Sequence, residues 1–190
     1  MIEYDLFIQM LSESFLSPNQ QKMEEPKQEG KHTCKIIDKG VDNYKAYRYD
    51  LEEHNFLPFF RKNTAVNKSP KGLLKFCDYI LLATVNQKIY VILVEMKSGD
   101  TTGANQQLAA SKTFIDYVIA SAERIKTMSG YNNFNAKNII FRKVLLKPAP
   151  KTRPLTNIGK KNSQINWGAD LIVLKSQVFP LLHVCECRQR

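Results

Sequence analysis

Two apolar runs, Phe76 to Val85 and Lys88 to Lys97, follow one another with only Asn86-Gln87 between them. Both are rich in aliphatic and β-branched residues, which fit a pleated strand, and a two-residue gap led by Asn suits a tight turn. The pair predicts an antiparallel hairpin. Nothing else in the chain constrains the fold as strongly, because a short turn also sets which residues face each other. Counting outward from the turn pairs Val85 with Lys88 and, at the open end, Asp78 with Glu95. A four-residue connection keeps the same pairing, and only a bulge would shift it.

Opposed residues on antiparallel strands have Cβ atoms about 4.5–5.5 Å apart, and like charges placed there are destabilising. Something has to offset Asp78 against Glu95. Alternation along the strand puts Lys97 on the face of Glu95, so one ammonium is at hand. A divalent cation would supply the rest. Mg2+, with Mn2+ able to substitute, takes oxygen ligands at about 2.0–2.1 Å. The carboxylates of Asp78 and Glu95 and the backbone carbonyl of Met96 are the candidate ligands. The competing reading is a solvated ion cluster, but both strands are nearly continuous apolar runs, as expected where both sheet faces are covered.

Along the rest of the chain, Ile2, Leu6, Met10 and Leu11 recur at helical spacing and predict a helix from Ile2 to Phe15. Ser17 to His32, with Pro18, Pro26 and Gly30, reads as a loop. Cys34 to Asp38 and Tyr44 to Leu51 read as strands, the second with Tyr47 and Tyr49 on one face and Ala46 and Arg48 on the other. After the hairpin, Asp100, Thr101 and Thr102 offer N-cap oxygens to a long helix ending near Gly130. A strand from Asn138 to Leu146 follows. Arg142 to Ala169 carries seven basic residues and no acidic one and is broken by Pro148, Pro150 and Pro154, so it reads as a basic loop. Asp170 to Leu174 is a last short strand, and Pro180 interrupts any helix in the tail.

One domain is expected for 190 residues, with a core over about 1–146 and a basic loop and C-terminal extension over 147–190. The net charge of +10 favours a polyanionic partner. No apolar run reaches the roughly 20 residues of a spanning helix, and Glu3 and Asp5 replace the basic start of a signal peptide. No membrane association and a cytoplasmic location are the expectations. Cys34, Cys77, Cys185 and Cys187 read as free thiols, and the Cys185, Cys187 and His183 spacing is too tight for a usual zinc site. His32, His54 and His183 have no evident partners, and Gly-rich phosphate loops and nucleophile elbows are absent from the sequence.

"CDYIL", a hairpin, and then "VEMKSGD" together resemble the PD-(D/E)xK nuclease superfamily, in which an Asp on one strand is followed by Glu-x-Lys on the next. The resemblance implies an α/β fold with a restriction-endonuclease-like core, a mixed central sheet flanked by helices. It implies metal binding by Asp78 and Glu95 and a catalytic role for Lys97. Cys77 stands where the family name has Pro. Members often add an acid on the first helix and a Gln on the helix after the Lys. Glu13 and Gln107 are the candidates here, with Glu3, Asp5 and Gln106 competing.

The implied activity is Mg2+-dependent endonuclease hydrolysis of phosphodiesters, with DNA favoured over RNA, in defence, repair or recombination. Lys71, Lys75 and the segment from Arg142 to Lys161 are the candidate phosphate-contacting surface, and Trp167 could stack on a base although core packing suits it better. The alternative is a catalytically inactive, nuclease-like nucleic-acid-binding or scaffold subunit. A homodimer or a partner subunit fits either reading.

Overall fold

The hairpin closes as its sequence demands. Asn86 and Gln87 both adopt positive φ, 50° and 64°, the backbone of a two-residue mirror-image turn whose twist matches that of its strands. In the computed structural model, which describes residues 2–25, 32–49, 75–148 and 171–186, the chain runs as follows. Helix α1 (Ile2–Met10) and a 3₁₀ turn (Glu13–Phe15) precede β1 (Lys22–Glu24), β2 (Thr33–Ile37) and β3 (Asn43–Arg48). The hairpin strands are β4 (Tyr79–Val85) and β5 (Lys88–Met96), followed by α2 (Ala104–Ile125), a 3₁₀ turn (Ala136–Asn138) and β6 (Ile139–Lys147). Then come β7 (Leu171–Lys175), β8 (Val178–Pro180) and α3 (Leu181–Glu186).

The central sheet has the order β3-β4-β5-β6-β7. Its first three strands form an antiparallel meander, whereas β6 lies parallel to β5 and β7 parallel to β6. A parallel neighbour requires a crossover, and α2 provides it between β5 and β6. A second sheet, β1-β2-β8, pairs β1 with β2 antiparallel and β2 with β8 parallel. The fold is mixed α/β with a mixed central sheet, as expected.

Each face of that sheet buries its own core. Ile80, Leu82, Val91 and Leu93 pack with Phe7 of α1 and with Leu108 and Ile115 of α2. Leu81, Ala83, Ile92 and Val94 pack instead with Met23 and Ile36 of the small sheet and Leu181 and Val184 of α3. Double coverage is why β4 and β5 read as unbroken apolar runs. Tyr47 joins the helix-side core with Tyr49, and Ala46 the opposite one, as the alternation predicted.

Several sequence expectations change. The first helix stops at Met10 rather than Phe15, because Ser12 turns its hydroxyl to the Ser14 N–H at 3.3 Å and caps the separate 3₁₀ turn. The segment expected to be a loop contains β1, whose Met23 is fully buried. Asp100 does not cap α2: its carboxylate accepts from the Thr102 N–H and hydroxyl at 2.9 and 2.8 Å, and the N-cap is Gly103 at φ 85°. Pro180 ends β8 at a sheet edge and leads directly into α3. Among the described residues no helix is long and apolar enough to cross a membrane.

Candidate functional site

The β4–β5 register runs from Val85 opposite Lys88 to Tyr79 opposite Val94, the pairing that the turn predicted. One step further, Asp78 precedes the strand and its side chain continues the ladder. Asp78 Oδ2 accepts the Met96 N–H at 2.6 Å, the place a main-chain carbonyl would otherwise fill. A carboxylate acceptor makes this a strong, short bond. In an extended strand a residue's C=O points the same way as its own N–H, so the Met96 carbonyl faces the Asp78 side.

Glu95 is fully buried and Asp78 is 7% exposed. Lys97 Nζ meets Glu95 Oε1 at 2.6 Å, and its side chain is the accessible member of the group at 25% exposure. Glu95 shares the helix-side face with Val91 and Leu93, and Lys97 follows it by alternation. Burial is the largest single influence on the Lys97 pKa and pulls it down, but the hydrogen bond and charge of Glu95 and the charges of Asp78 and Glu25 outweigh it. The net shift is upward. The ammonium is therefore held charged by three carboxylates.

Helix α2 fixes this end of the hairpin. Gln107 Nε2 donates to the Phe76 carbonyl at 3.1 Å, and the fully buried Ser111 Oγ accepts the Cys77 N–H at 2.8 Å while donating to the Gln107 carbonyl at 3.0 Å. Both anchors lie immediately before Asp78. The residue at 77 therefore has to supply an N–H for Ser111, which a proline could not. The Cys77 thiol donates to the Tyr79 carbonyl, and burial above all pushes its pKa up, so it stays a thiol.

Glu13 is exposed on the 3₁₀ turn. Glu25, just past β1 and 7% exposed, accepts from both the backbone N–H and the hydroxyl of Ser98 at 3.3 Å. Sequence reading missed Glu25 because its segment looked like a loop, and missed Ser111 because a helical Ser resembles a solvated one. The buried His32 lies in the field of Glu25, and burial lowers its pKa despite that charge and the Ser176 backbone.

Of the basic candidates, Arg142 is structural. It belongs to β6, donates to the Cys185 carbonyl at 3.1 Å and lies over the Tyr90 ring at 5.8 Å. Lys143, inside the expected strand from Asn138 to Leu146, and Lys147, one residue past it, also belong to β6, and Lys75 is exposed. Lys71, Lys151, Arg153, Lys160, Lys161, Trp167, His54 and Cys187 lie outside the described residues. Cys34, Cys77 and Cys185 are free and buried, and His183 is exposed.

Among the described residues no three His, Cys, Asp or Glu side chains are grouped to hold a metal. The donor set at the hairpin's open end is instead two carboxylates and a carbonyl, all hard oxygens. That set fits Mg2+ or Mn2+, which are often bound by one or two carboxylates and complete their shells with water and substrate. Comparison of the chain with protein-family models, with curated proteins and with solved structures found no match.

Proposed function

We propose that the chain is a metal-dependent nuclease of the PD-(D/E)xK kind, on a restriction-endonuclease-like core, hydrolysing phosphodiester bonds. The observation that carries this reading is the convergence of Asp78, Glu95 and Lys97 at one end of the hairpin, where Asp78 takes the Met96 N–H and Lys97 takes Glu95. The order α1, antiparallel β3-β4-β5, α2 and parallel β6 supports it.

Asp78, Glu95 and the Met96 carbonyl would hold Mg2+ or Mn2+. Such an ion lowers the pKa of water and polarises a phosphoryl oxygen. Lys97 contributes a charge that its carboxylate neighbours keep in place. Its accessible side can meet the negative charge that develops on the phosphate. Gln107 and Ser111 act as positioning residues by fixing the backbone before Asp78.

The test is incubation of the purified chain with plasmid, single-stranded DNA and RNA in Mg2+ or Mn2+. Cleavage is expected, with DNA preferred, and it stops on chelation and in Lys97→Ala. Undiminished cleavage by Lys97→Ala removes the catalytic assignment. Nucleic-acid binding without any cleavage returns the chain to the inactive, nuclease-like class.

A further inference from the structure

The sheet register does more than assemble the three residues of the hairpin. The β5–β6 ladder ends with Met96 opposite Leu146 and extends one step, because Lys97 N–H donates to the Leu146 carbonyl at 2.9 Å. In a parallel ladder this bond sets Lys97 beside Lys147. Lys147 is in turn the partner of Lys175 on β7, and the Lys147 carbonyl accepts the Ser176 N–H at 3.2 Å. Three lysines thus occupy one row across the carboxyl ends of three adjacent strands.

They share one face. Leu145 and Val173, two positions before Lys147 and Lys175, both belong to the helix-side core, and Lys97 is on the face of Glu95 and Leu93. With strands about 4.8 Å apart, the row extends roughly 10 Å outward from the candidate site. Like charges set directly side by side are unfavourable, and neither Lys147 nor Lys175 has an ion pair among the described residues. Lys175 is exposed and Lys147 half-buried, so both ammonium groups can reach solvent.

We propose that Lys97, Lys147 and Lys175 form a track for consecutive phosphates of one nucleic-acid strand, with Lys97 at the scissile phosphate and the other two holding phosphates to one side of it. The proposal rests on the nuclease reading for the role of Lys97 and adds the direction in which the strand leaves the site. Phosphate contacts of this kind position a backbone without reading its bases. The track is therefore indifferent to sequence.

Binding of labelled single-stranded and duplex DNA, measured with chelator present so that cleavage plays no part, tests it. The double variant Lys147→Gln/Lys175→Gln is compared with Lys39→Gln/Lys88→Gln, an equal loss of charge on exposed lysines at the turn end of the sheet. The track predicts binding about fivefold to tenfold weaker for the first pair, with a log–log salt slope shallower by about 2 for duplex DNA, and little change for the second. Equal weakening by both pairs, no weakening by the first, or no DNA binding by the wild type overturns the track. Failure of the nuclease reading is separate: DNA binding that follows the track without metal-dependent cleavage leaves the row standing and removes the catalysis.

Discussion

The two ends of the β4–β5 hairpin are built from the same strands and present opposite physical problems. At the turn end the difficulty is local: Gln87, a residue with a Cβ, sits at φ 64° where glycine is usual. At the open end it is electrostatic, because Glu95 is fully buried and Asp78 nearly so, with Lys97 drawn against them. A strained turn costs tenths of a kcal/mol to about 1, whereas a buried charge that loses its partner costs several. The cheap end sets the register, and the expensive end is where that register is used.

The largest effect is expected at Glu95. Glu95→Gln should lower cleavage by about 100-fold or more, since metal ligands matter at least as much as the groups that orient them. It also removes one of two neighbouring negative charges, so thermal stability without metal should stay equal or rise. Lys97→Ala should lose activity as well but unfold more easily, by about 3 kcal/mol, because it leaves Glu95 buried without its ammonium. Chemical denaturation of both variants separates the two effects.

Ser111→Ala tests the clamp on the strand before Asp78. It strands the buried Cys77 N–H and should cost about 1–3 kcal/mol, with cleavage reduced as well. The pH dependence is smaller. The folded pKa of Lys97 lies above its ordinary 10.5, so its stabilisation is complete below 10.5 and is lost as pH rises through the folded value. Wild-type stability should therefore fall over that alkaline range more steeply than that of Lys97→Met. At the turn end, Gln87→Gly should stabilise by about 0.5–1 kcal/mol and leave cleavage unchanged.

The hairpin was legible because its signals are local: a two-residue turn, a fixed period of two and apolar runs of strand length. From these the opposition of Asp78 and Glu95 and the position of Lys97 follow without any tertiary information. What stayed hidden depends on contacts distant in sequence. Strand β1 holds one inward apolar residue, Met23, between Lys22 and Glu24, and exists because it pairs with β2, so Glu25 could not be placed. Gly103 replaced the oxygen caps expected for α2 because Asp100 spends its carboxylate on a local turn with Thr102. The strand from Asn138 to Leu146 was legible and runs on to Lys147; what the run of basic residues hid is its two faces, Arg142 turning to the Tyr90 side and Lys147 to the helix side.

The proposed chemistry requires a divalent cation at the open end of the hairpin. A crystal grown with Mn2+ and examined for anomalous scattering tests it most directly. A peak is expected between the Asp78 and Glu95 carboxylates, about 2.1 Å from an oxygen of each and near the Met96 carbonyl. Lys97 still seated on Glu95, with no peak at saturating Mn2+, would contradict it.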